Sequence, residues 1–354
     1  MRVRPALALI APAAMLVLAA CAAQPATPAS PATVSSPQVS TGTSTPVAAA
    51  CRLPIASGDA PVDGVPTDGT AGHGGFVTYP GGAFSPDPAS LGSYDARLSK
   101  WVPAFTAAVS PDGSHYASTP QTPAGGGPVA GSISITDVAT GASRSVPVPG
   151  PSGVVAWTSS GIYVTHIVPN SDAPSSGLSL LDPATGAFHQ ITADGGWQVV
   201  GTAFAYSTSV NPADPSPPTQ QGPGSPPGDQ VVSLNLSTGV VSTVEYQPGK
   251  TMAILGLDAG GRPVTESWDA SGLTIRVAGA AVYTGAPPSF SASGDPSPNG
   301  PLAHDSHGLW FGSGTGAIYL LAPGATSLVK IATVSVSAPG SSTTSSANIA
   351  GPCA

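Results

Sequence analysis

Charged side chains are scarce in this chain. Its 354 residues include 18 acidic and 10 basic ones, which is 8% of the sequence, whereas an ordinary soluble domain carries roughly 25%. The formal charge is −8, and the few basic residues form no cluster that could neutralise phosphate groups. The composition therefore argues against nucleic acid as a partner.

Signatures of familiar enzymes are also missing. Only two glutamates occur, Glu245 and Glu266, which disfavours acid/base chemistry by a glutamate pair. Neither a Gly-x-Ser-x-Gly elbow nor a His-Glu-x-x-His motif is present. The densest polar cluster, His304-Asp305-Ser306-His307, contains metal-ligating side chains, but we interpret it as a turn between two strands. We expect no catalytic residue, no metal and no cofactor.

Long helices are disfavoured by the abundance of glycine and proline. The chain has 44 glycines and 41 prolines; proline removes a hydrogen-bond donor and clashes inside a helix, and glycine costs about 1 kcal/mol there. Because 41% of the residues are nevertheless apolar, part of the chain must fold. These two observations favour an all-β fold.

The N-terminal residues have the order of a secretory signal peptide. Two arginines precede an apolar run from Ala6 to Leu18, and small residues follow; the run is short for a membrane span. The sequence Leu18-Ala19-Ala20-Cys21 resembles the lipobox of bacterial lipoproteins. This resemblance implies a lipoprotein signal peptide over residues 1–20 and lipid attachment at Cys21, which would anchor the protein on the extracytoplasmic side of the cell membrane. The alternative is an ordinary signal peptide with an incidental cysteine.

A tether is expected over residues 21–50. From Ala22 to Ala50 the chain contains no charge and no aromatic residue, so it cannot bury enough surface to offset the entropy lost on ordering. Its prolines favour extended conformations, which reach ~3.1 Å per residue and at most about 90 Å in all. Such a segment would hold a folded domain, residues 51–354, clear of the membrane.

The cysteine count predicts one disulfide. With Cys21 assigned to lipid, Cys51 and Cys353 remain, and a pair of cysteines in an exported protein is expected to be oxidised. A disulfide needs Cα atoms within about 7 Å of each other. The two ends of the folded domain should therefore be neighbours, which suits a ring closed by its own termini; two unpaired thiols are the alternative.

A short turn motif recurs along the chain. The form [Asp/Asn]-x-x-Thr-Gly occurs at Asp137–Gly141, Asp182–Gly186 and Asn235–Gly239, each time between two strand-like runs. Asp, Asn and Gly tolerate the left-handed positions of tight turns, so each copy predicts a β-hairpin. A second hairpin turn interleaves with the first, as at Ser110-Pro111-Asp112-Gly113 and at Asp305-Ser306-His307-Gly308.

Two hairpins per ~45 residues amount to four strands per repeat, which is the period of a propeller blade. The Ser110-Pro111-Asp112-Gly113 turn and its flanks resemble the repeat of TolB-like and WD-repeat propellers, and the resemblance extends over about residues 75–335. It implies a β-propeller of four-stranded antiparallel blades, closed by the terminal disulfide, and no particular activity. Six blades are favoured, although the length also accommodates seven. A β-sandwich is the rival fold.

Loop lengths distinguish the two faces of such a ring. If the strands of a blade are lettered A to D from the centre outward, the long insertions 119–130, 168–176 and 210–229 are B–C connections, and 286–301 is a D–A connection. All four should project from one face, and loops on rigid scaffolds commonly carry binding. Trp197, in a D–A connection, is the candidate for stacking on a ligand. The alternative for the long insertions is that they are tolerated surface loops without a binding role. The alternative for Trp197 is packing between blades.

Taken together, the sequence predicts a monomeric, membrane-anchored, non-catalytic binding or scaffold propeller. Its long-loop face would recognise an envelope protein, a peptide or a glycan. The alternative is an exported hydrolase or lyase that acts on a glycan or lactone, with aspartate and histidine side chains inside the central channel.

Overall fold

The computed structural model describes residues 50–57, 74–79, 82–87, 90, 92–104, 106–119, 131–166, 176–214, 228–286, 301–337 and 344–354. The predicted signal peptide, Cys21 and nearly all of the predicted tether lie outside the described residues. Within those ranges, no helical segment has the length and hydropathy needed to span a bilayer.

The first half of the described chain contains β1 to β12 and a single short 3-10 helix, Thr106–Ala108. The strands are β1 Cys51–Ser57, β2 Gly74–Tyr79, β3 Ala83–Asp87, β4 Ser93–Asp95, β5 Lys100–Val102, β6 His115–Ser118, β7 Ser132–Asp137, β8 Ser143–Pro147, β9 Ser152–Thr158, β10 Gly161–His166, β11 Ser176–Leu181 and β12 Phe188–Thr192. The second half continues with β13 Val199–Val200, β14 Phe204–Ser209, β15 Gln230–Asn235, β16 Val241–Tyr246, β17 Thr251–Leu257, β18 Pro263–Asp269, β19 Gly272–Val277, β20 Ala280–Gly285, β21 Leu302–Asp305, β22 Gly308–Phe311, β23 Ala317–Leu321, β24 Val329–Thr333, β25 Ser335–Ser337 and β26 Thr344–Ile349.

These strands form the six antiparallel blades of a β-propeller, and the predicted fold class is confirmed. Blades 3 to 6 are four-stranded meanders, built from β9–β12, β13–β16, β17–β20 and β21–β24. Blade 2 contains β6, β7 and β8, and its innermost strand is represented by the bridge between Val109 and Tyr116. Blade 1 has the order β25-β26-β1-β2-β3, and the hairpin β4–β5 is a separate two-stranded sheet.

Blade 1 closes the ring with strands from both ends of the described chain. Strand β1 pairs with β2 on one side and with β26 on the other, where Ile55 lies opposite Ile349. Beyond β26 the backbone continues along β1, and the Ala354 N–H donates to the carbonyl of Arg52 at 3.0 Å. The predicted Cys51–Cys353 disulfide is present at this point, with a Cα–Cα distance of 5.6 Å.

Apolar side chains of neighbouring blades pack against each other and hold the ring together. Trp310 of blade 6 is fully buried and lies in one cluster with Leu53 and Val77 of blade 1. Its ring stacks on that of Tyr79, with centroids 6.1 Å apart. These contacts join the last blade of the ring to the first.

The repeated [Asp/Asn]-x-x-Thr-Gly motif forms the predicted hairpins. In the first copy the carboxylate of Asp137 accepts a hydrogen bond from the Thr140 N–H at 2.7 Å. The glycine that ends the motif, Gly141, has a φ of 73°, a left-handed conformation that a side chain would disfavour. Asp182 and Asn235 make the corresponding contacts with Thr185 and Thr238.

The two faces of the ring differ as predicted. Tight A–B and C–D turns lie on one face, which we call the hairpin-turn face; B–C and D–A connections lie on the other, the connection face. The long insertions follow β6, β10, β14 and β20 and therefore all start and end at the connection face. A further long B–C connection, residues 58–73 between β1 and β2, was not singled out from the sequence.

Candidate functional site

Trp197, the predicted stacking residue, lies inside the protein. It is 4% exposed and packs among side chains of blades 3 and 4, including Tyr163, Leu178 and Leu234. Its Nε1 donates to the carbonyl of Asp194 at 2.9 Å. The ring faces are covered by neighbours, so a ligand would have to be sought elsewhere.

The His304–His307 cluster forms an A–B turn built around one carboxylate. Oδ1 of Asp305 accepts the His307 N–H at 2.7 Å, and Oδ2 accepts Nε1 of Trp310 at 2.9 Å and the Cys353 N–H at 2.8 Å. Potential ligand atoms of Asp305, His307 and Cys353 lie within 4.8 Å of one another. However, the Cys353 sulfur is bonded to Cys51, and both oxygens of Asp305 are engaged, so the geometry is that of a structural junction.

A cavity of about 370 Å³ lies between the innermost strand of blade 6 and the β4–β5 hairpin, with Val109 of blade 2 in its wall. Asp95 and Arg97, both in its lining, form an ion pair at 2.5 Å. Burial raises the pKa of the Asp95 carboxyl, but the hydrogen bonds and charge of Arg97 outweigh burial and leave that pKa below its ordinary value. Asp95 is therefore held as an ionised acceptor, which does not suit it to act as a general acid.

Blade 4 carries an unusual amount of exposed apolar surface. Among the described residues, large apolar side chains that are 36–59% exposed all belong to this blade or to the connections at its edges: Phe204, Val210, Val240, Val241, Val244 and Tyr246. Single exposed apolar residues are normal on soluble proteins, whereas several on one blade point to an interaction surface. The last four of them lie on or directly before β16, and Val210 begins the B–C insertion of the same blade. We call this set the blade 4 apolar surface.

Strand β16 is the outer edge of blade 4, and its backbone pairs only with β15 within the described sheet. Three other outer strands carry side chains that discourage further pairing, namely Pro86 in β3, Arg144 in β8 and Lys330 in β24; β12 and β20 carry neither proline nor Lys/Arg. The sequence of β16 is Val-Ser-Thr-Val-Glu-Tyr, and it contains neither proline nor a basic residue. Among the described residues no strand pairs with this edge, which is the state that the addition of another extended chain requires.

A groove of about 480 Å³ separates blade 4 from blade 5. Phe204 and Val244 contribute apolar surface to it, and Arg262 stands at its rim with a side chain that is 62% exposed. Deeper in the groove, Glu245 contacts Arg276 at 3.5 Å and accepts the hydroxyl of Thr265 at 2.7 Å. The one acidic side chain of β16 is therefore turned into the groove and neutralised there.

A second groove, of about 570 Å³, lies on the other side of blade 4, next to blade 3. Tyr163, His189 and Ile191 of blade 3 and the turn Asn235–Gly239 of blade 4 contribute to its lining. Blade 4 is consequently flanked by open grooves on both sides. The exposed apolar residues were not identifiable from the sequence, because every strand of the repeat has similar apolar content and only the packed structure shows which side chains stay uncovered.

Comparisons with known proteins give only distant matches. No family model matches the chain, and no curated protein matches it. A crystal structure from Bacteroides uniformis, provisionally named a 6-phosphogluconolactonase, superposes with a TM-score of 0.38 at 12% identity over 80% of this chain and 96% of that one. A similarly named protein from Bacteroides fragilis gives a TM-score of 0.36, also at 12% identity, over 81% and 96%.

Proposed function

We propose that this protein is a non-catalytic, exported binding propeller that captures a protein of the cell envelope through blade 4. The observation that carries the proposal is the blade 4 apolar surface, which borders the open edge of β16. The partner would supply an extended segment with apolar side chains, which adds to the sheet next to β16 and covers Val241, Val244 and Tyr246.

The chemistry of the surface favours a peptide segment over a glycan. Backbone groups along a free strand edge give affinity to an added strand, and pockets beside the edge select alternate side chains of that strand. The groove between blades 4 and 5 is such a pocket, with the apolar side chains of Phe204 and Val244. Arg262 at its rim is paired with Asp258 at 2.7 Å, so an apolar side chain of the partner would match this groove.

The proposal includes the membrane anchor predicted from the sequence. In it, Cys21 carries the lipid, residues 22–50 act as the tether, and the propeller stands outside the membrane. An anchored receptor of this kind could bind a neighbouring envelope protein without leaving the surface.

Site-specific photo-crosslinking in the cells that express the protein naturally tests the binding proposal. A photoreactive amino acid at position 244 should give a discrete protein adduct, and Val241→Lys in the same chain should abolish it. The matched control is the photoreactive residue at position 190, because Gln190 is exposed on β12, the equivalent outer strand of blade 3.

Equal adducts at both positions, or none at position 244, would contradict binding at blade 4. Val241→Lys alters an exposed side chain, so it should change the free energy of unfolding by no more than about 0.5 kcal/mol. A thermal melt of the variant checks that a lost adduct is not caused by unfolding.

Cell fractionation tests the anchor. Cys21→Ser should move the protein from the detergent-extracted membrane fraction to the soluble or secreted fraction, while the double variant Cys51→Ser/Cys353→Ser should stay in the membrane fraction. Continued membrane recovery of Cys21→Ser would refute lipid attachment at this residue.

A further inference from the structure

Two carboxylates meet at the connection face of blade 4, at the foot of its B–C insertion. Asp229 directly precedes β15, and Asp214 lies five residues after the end of β14. The two groups are close enough for Asp214 to raise the pKa of the Asp229 carboxyl. Oδ2 of Asp214 also accepts the hydroxyl of Tyr246 at 3.1 Å and the Gly249 N–H at 3.2 Å.

Asp229 is fully buried, with an exposed fraction of 0%. Its Oδ1 accepts the Asn211 N–H at 2.6 Å, but its buried Oδ2 has no hydrogen-bond partner among the described residues. An unsatisfied carboxylate oxygen in the interior is destabilising, so native proteins rarely retain one without a bound ion or water.

The negative charge at this position is not balanced by a basic side chain of the described residues. The interactions that act on the Asp229 carboxyl come from Asn211, Asp214 and its own backbone. The nearest lysine in sequence, Lys250, instead pairs with Asp269 at 3.4 Å. Burial raises the pKa of Asp229, and the neighbouring Asp214 carboxyl raises it further. Like charges this close disfavour the state in which both carboxyls are ionised, and a bound cation would remove that repulsion.

We propose that Asp214 and Asp229 form a binding site for a divalent cation, best suited to Ca²⁺, at the connection face of blade 4. Ca²⁺ prefers oxygen ligands, above all carboxylates. It completes a coordination shell of about 6–8 oxygens with carbonyl groups and water. Oδ2 of Asp229 is a ligand atom with no competing hydrogen bond among the described residues. The observations behind this site do not depend on the proposed function, although Tyr246, which contacts Asp214, also belongs to the blade 4 apolar surface.

The affinity of the site for Ca²⁺ should lie in the range of the weak Ca²⁺ sites of extracellular modules. Two carboxylates and no further described acidic side chain correspond to a dissociation constant of about 10⁻⁴–10⁻³ M. A Ca²⁺ concentration of 10 mM is about 10- to 100-fold above this dissociation constant. Binding should then raise the thermal midpoint of the full chain by about 2–4 °C.

Thermal melts of the full chain with EGTA or with 10 mM CaCl₂ test the site. The wild-type midpoint should rise with Ca²⁺, and Asp214→Asn should lose the rise; Asp229→Asn should lose it too. Asp182→Asn is the matched control, because Asp182 lies in an exposed hairpin turn of blade 3 and its variant should keep the full Ca²⁺ response. If Asp229→Asn does not fold, Asp214→Asn alone carries the test.

Luminescence of bound Tb³⁺ gives a second measurement. The Tyr246 hydroxyl contacts Asp214, so excitation of this tyrosine should sensitise Tb³⁺ in the site, and Ca²⁺ should compete the emission away. Tyr246→Leu should lose most of the emission yet keep the Ca²⁺-dependent rise in the thermal midpoint. Asp214→Asn should lose both.

Two results would overturn the proposal. One is a wild-type midpoint that does not respond to Ca²⁺, Mg²⁺ or Mn²⁺. The other is a Ca²⁺ response that Asp214→Asn and Asp229→Asn both retain. If the midpoint instead falls as the pH rises from 5 to 7 without any response to these cations, the two carboxyls share a proton and no cation site exists.

Discussion

The carboxylate of Asp305 joins three parts of the molecule, and its removal should be unusually costly. It accepts hydrogen bonds from its own turn, from the indole of Trp310 and from the backbone of Cys353. Blade 6, the closing blade and the disulfide therefore meet at one side chain. We expect Asp305→Ala to destabilise the protein far more than a change at an ordinary turn aspartate.

The expected loss of stability follows from the hydrogen-bond donors that would lose their acceptor. Trp310 is fully buried, so its Nε1 would be left without an acceptor at a cost of about 1–3 kcal/mol. The hydrogen bonds from Cys353 and His307 would add about 0.5–1.5 kcal/mol each. The sum predicts a loss of about 2–6 kcal/mol in the free energy of unfolding.

Denaturation by urea, followed by tryptophan fluorescence, measures this loss. Asp182→Ala is the control, because Asp182 accepts comparable turn hydrogen bonds from Ala184 and Thr185 at an exposed position, where water replaces them. Its cost should be about 1 kcal/mol or less. Asp305→Asn, which keeps one acceptor oxygen, should fall between the two.

Equal costs for Asp305→Ala and Asp182→Ala would refute this interpretation of the junction. So would an additive double-mutant cycle between Asp305→Ala and the removal of the disulfide. Because the carboxylate bonds to the backbone of Cys353, the two changes should couple by at least about 0.5 kcal/mol.

Three further predictions concern other parts of the structure. Replacing Cys51 and Cys353 by alanine should lower the free energy of unfolding by as much as roughly 5–6 kcal/mol in the chain-entropy model. Peptide mapping of the wild type without reduction should recover the two cysteines linked, and two free thiols would contradict the structure. Trp197→Phe should cost about 1–3 kcal/mol in thermal or urea unfolding, because it removes the hydrogen bond to Asp194 and part of the packing between blades 3 and 4; an unchanged stability would mean that this ring is not buried. Asp95 and Asp258 have lowered pKa values in the folded state, so their contribution to stability is present above the unfolded pKa of about 4 and is lost as the pH falls below it. The urea midpoint of the wild type should therefore drop in acid, and that of Asp95→Asn should drop less steeply. If the urea midpoints of both proteins fall with pH at the same slope, the role of this carboxyl is refuted.

Local features of the fold could be predicted from the sequence because they depend on neighbouring residues. The turn at Asp137–Gly141 needs only a side-chain acceptor, a threonine and a left-handed glycine, all of which are visible in five letters. The blade period and the faces of the long insertions follow from such turns. The disulfide was predictable for a different reason, since only two cysteines remained once Cys21 was assigned.

Features that depend on contacts between distant segments could not be predicted. The sequence places Trp197 in a D–A connection, on the face predicted to bind, but the side chains that cover it come from strands of two blades. The separate β4–β5 hairpin carries no turn motif of the repeat. The pair Asp214 and Asp229 lies at the two ends of one insertion, and only the antiparallel pairing of β14 with β15 brings these carboxylates together.

The way blade 1 closes the ring has a consequence for how the protein folds. Pairing within blades 2 to 6 joins strands that are near in sequence, whereas Cys51 and Cys353 are 302 residues apart. Since contacts of long sequence separation form slowly, the five local blades should assemble first and closure should follow as a late step. Until then the inner edge of β1, with Leu53 and Ile55, is unpaired, and an intermediate with such an edge is prone to aggregation. Oxidation of the two cysteines then keeps the closed ring from returning to that vulnerable state.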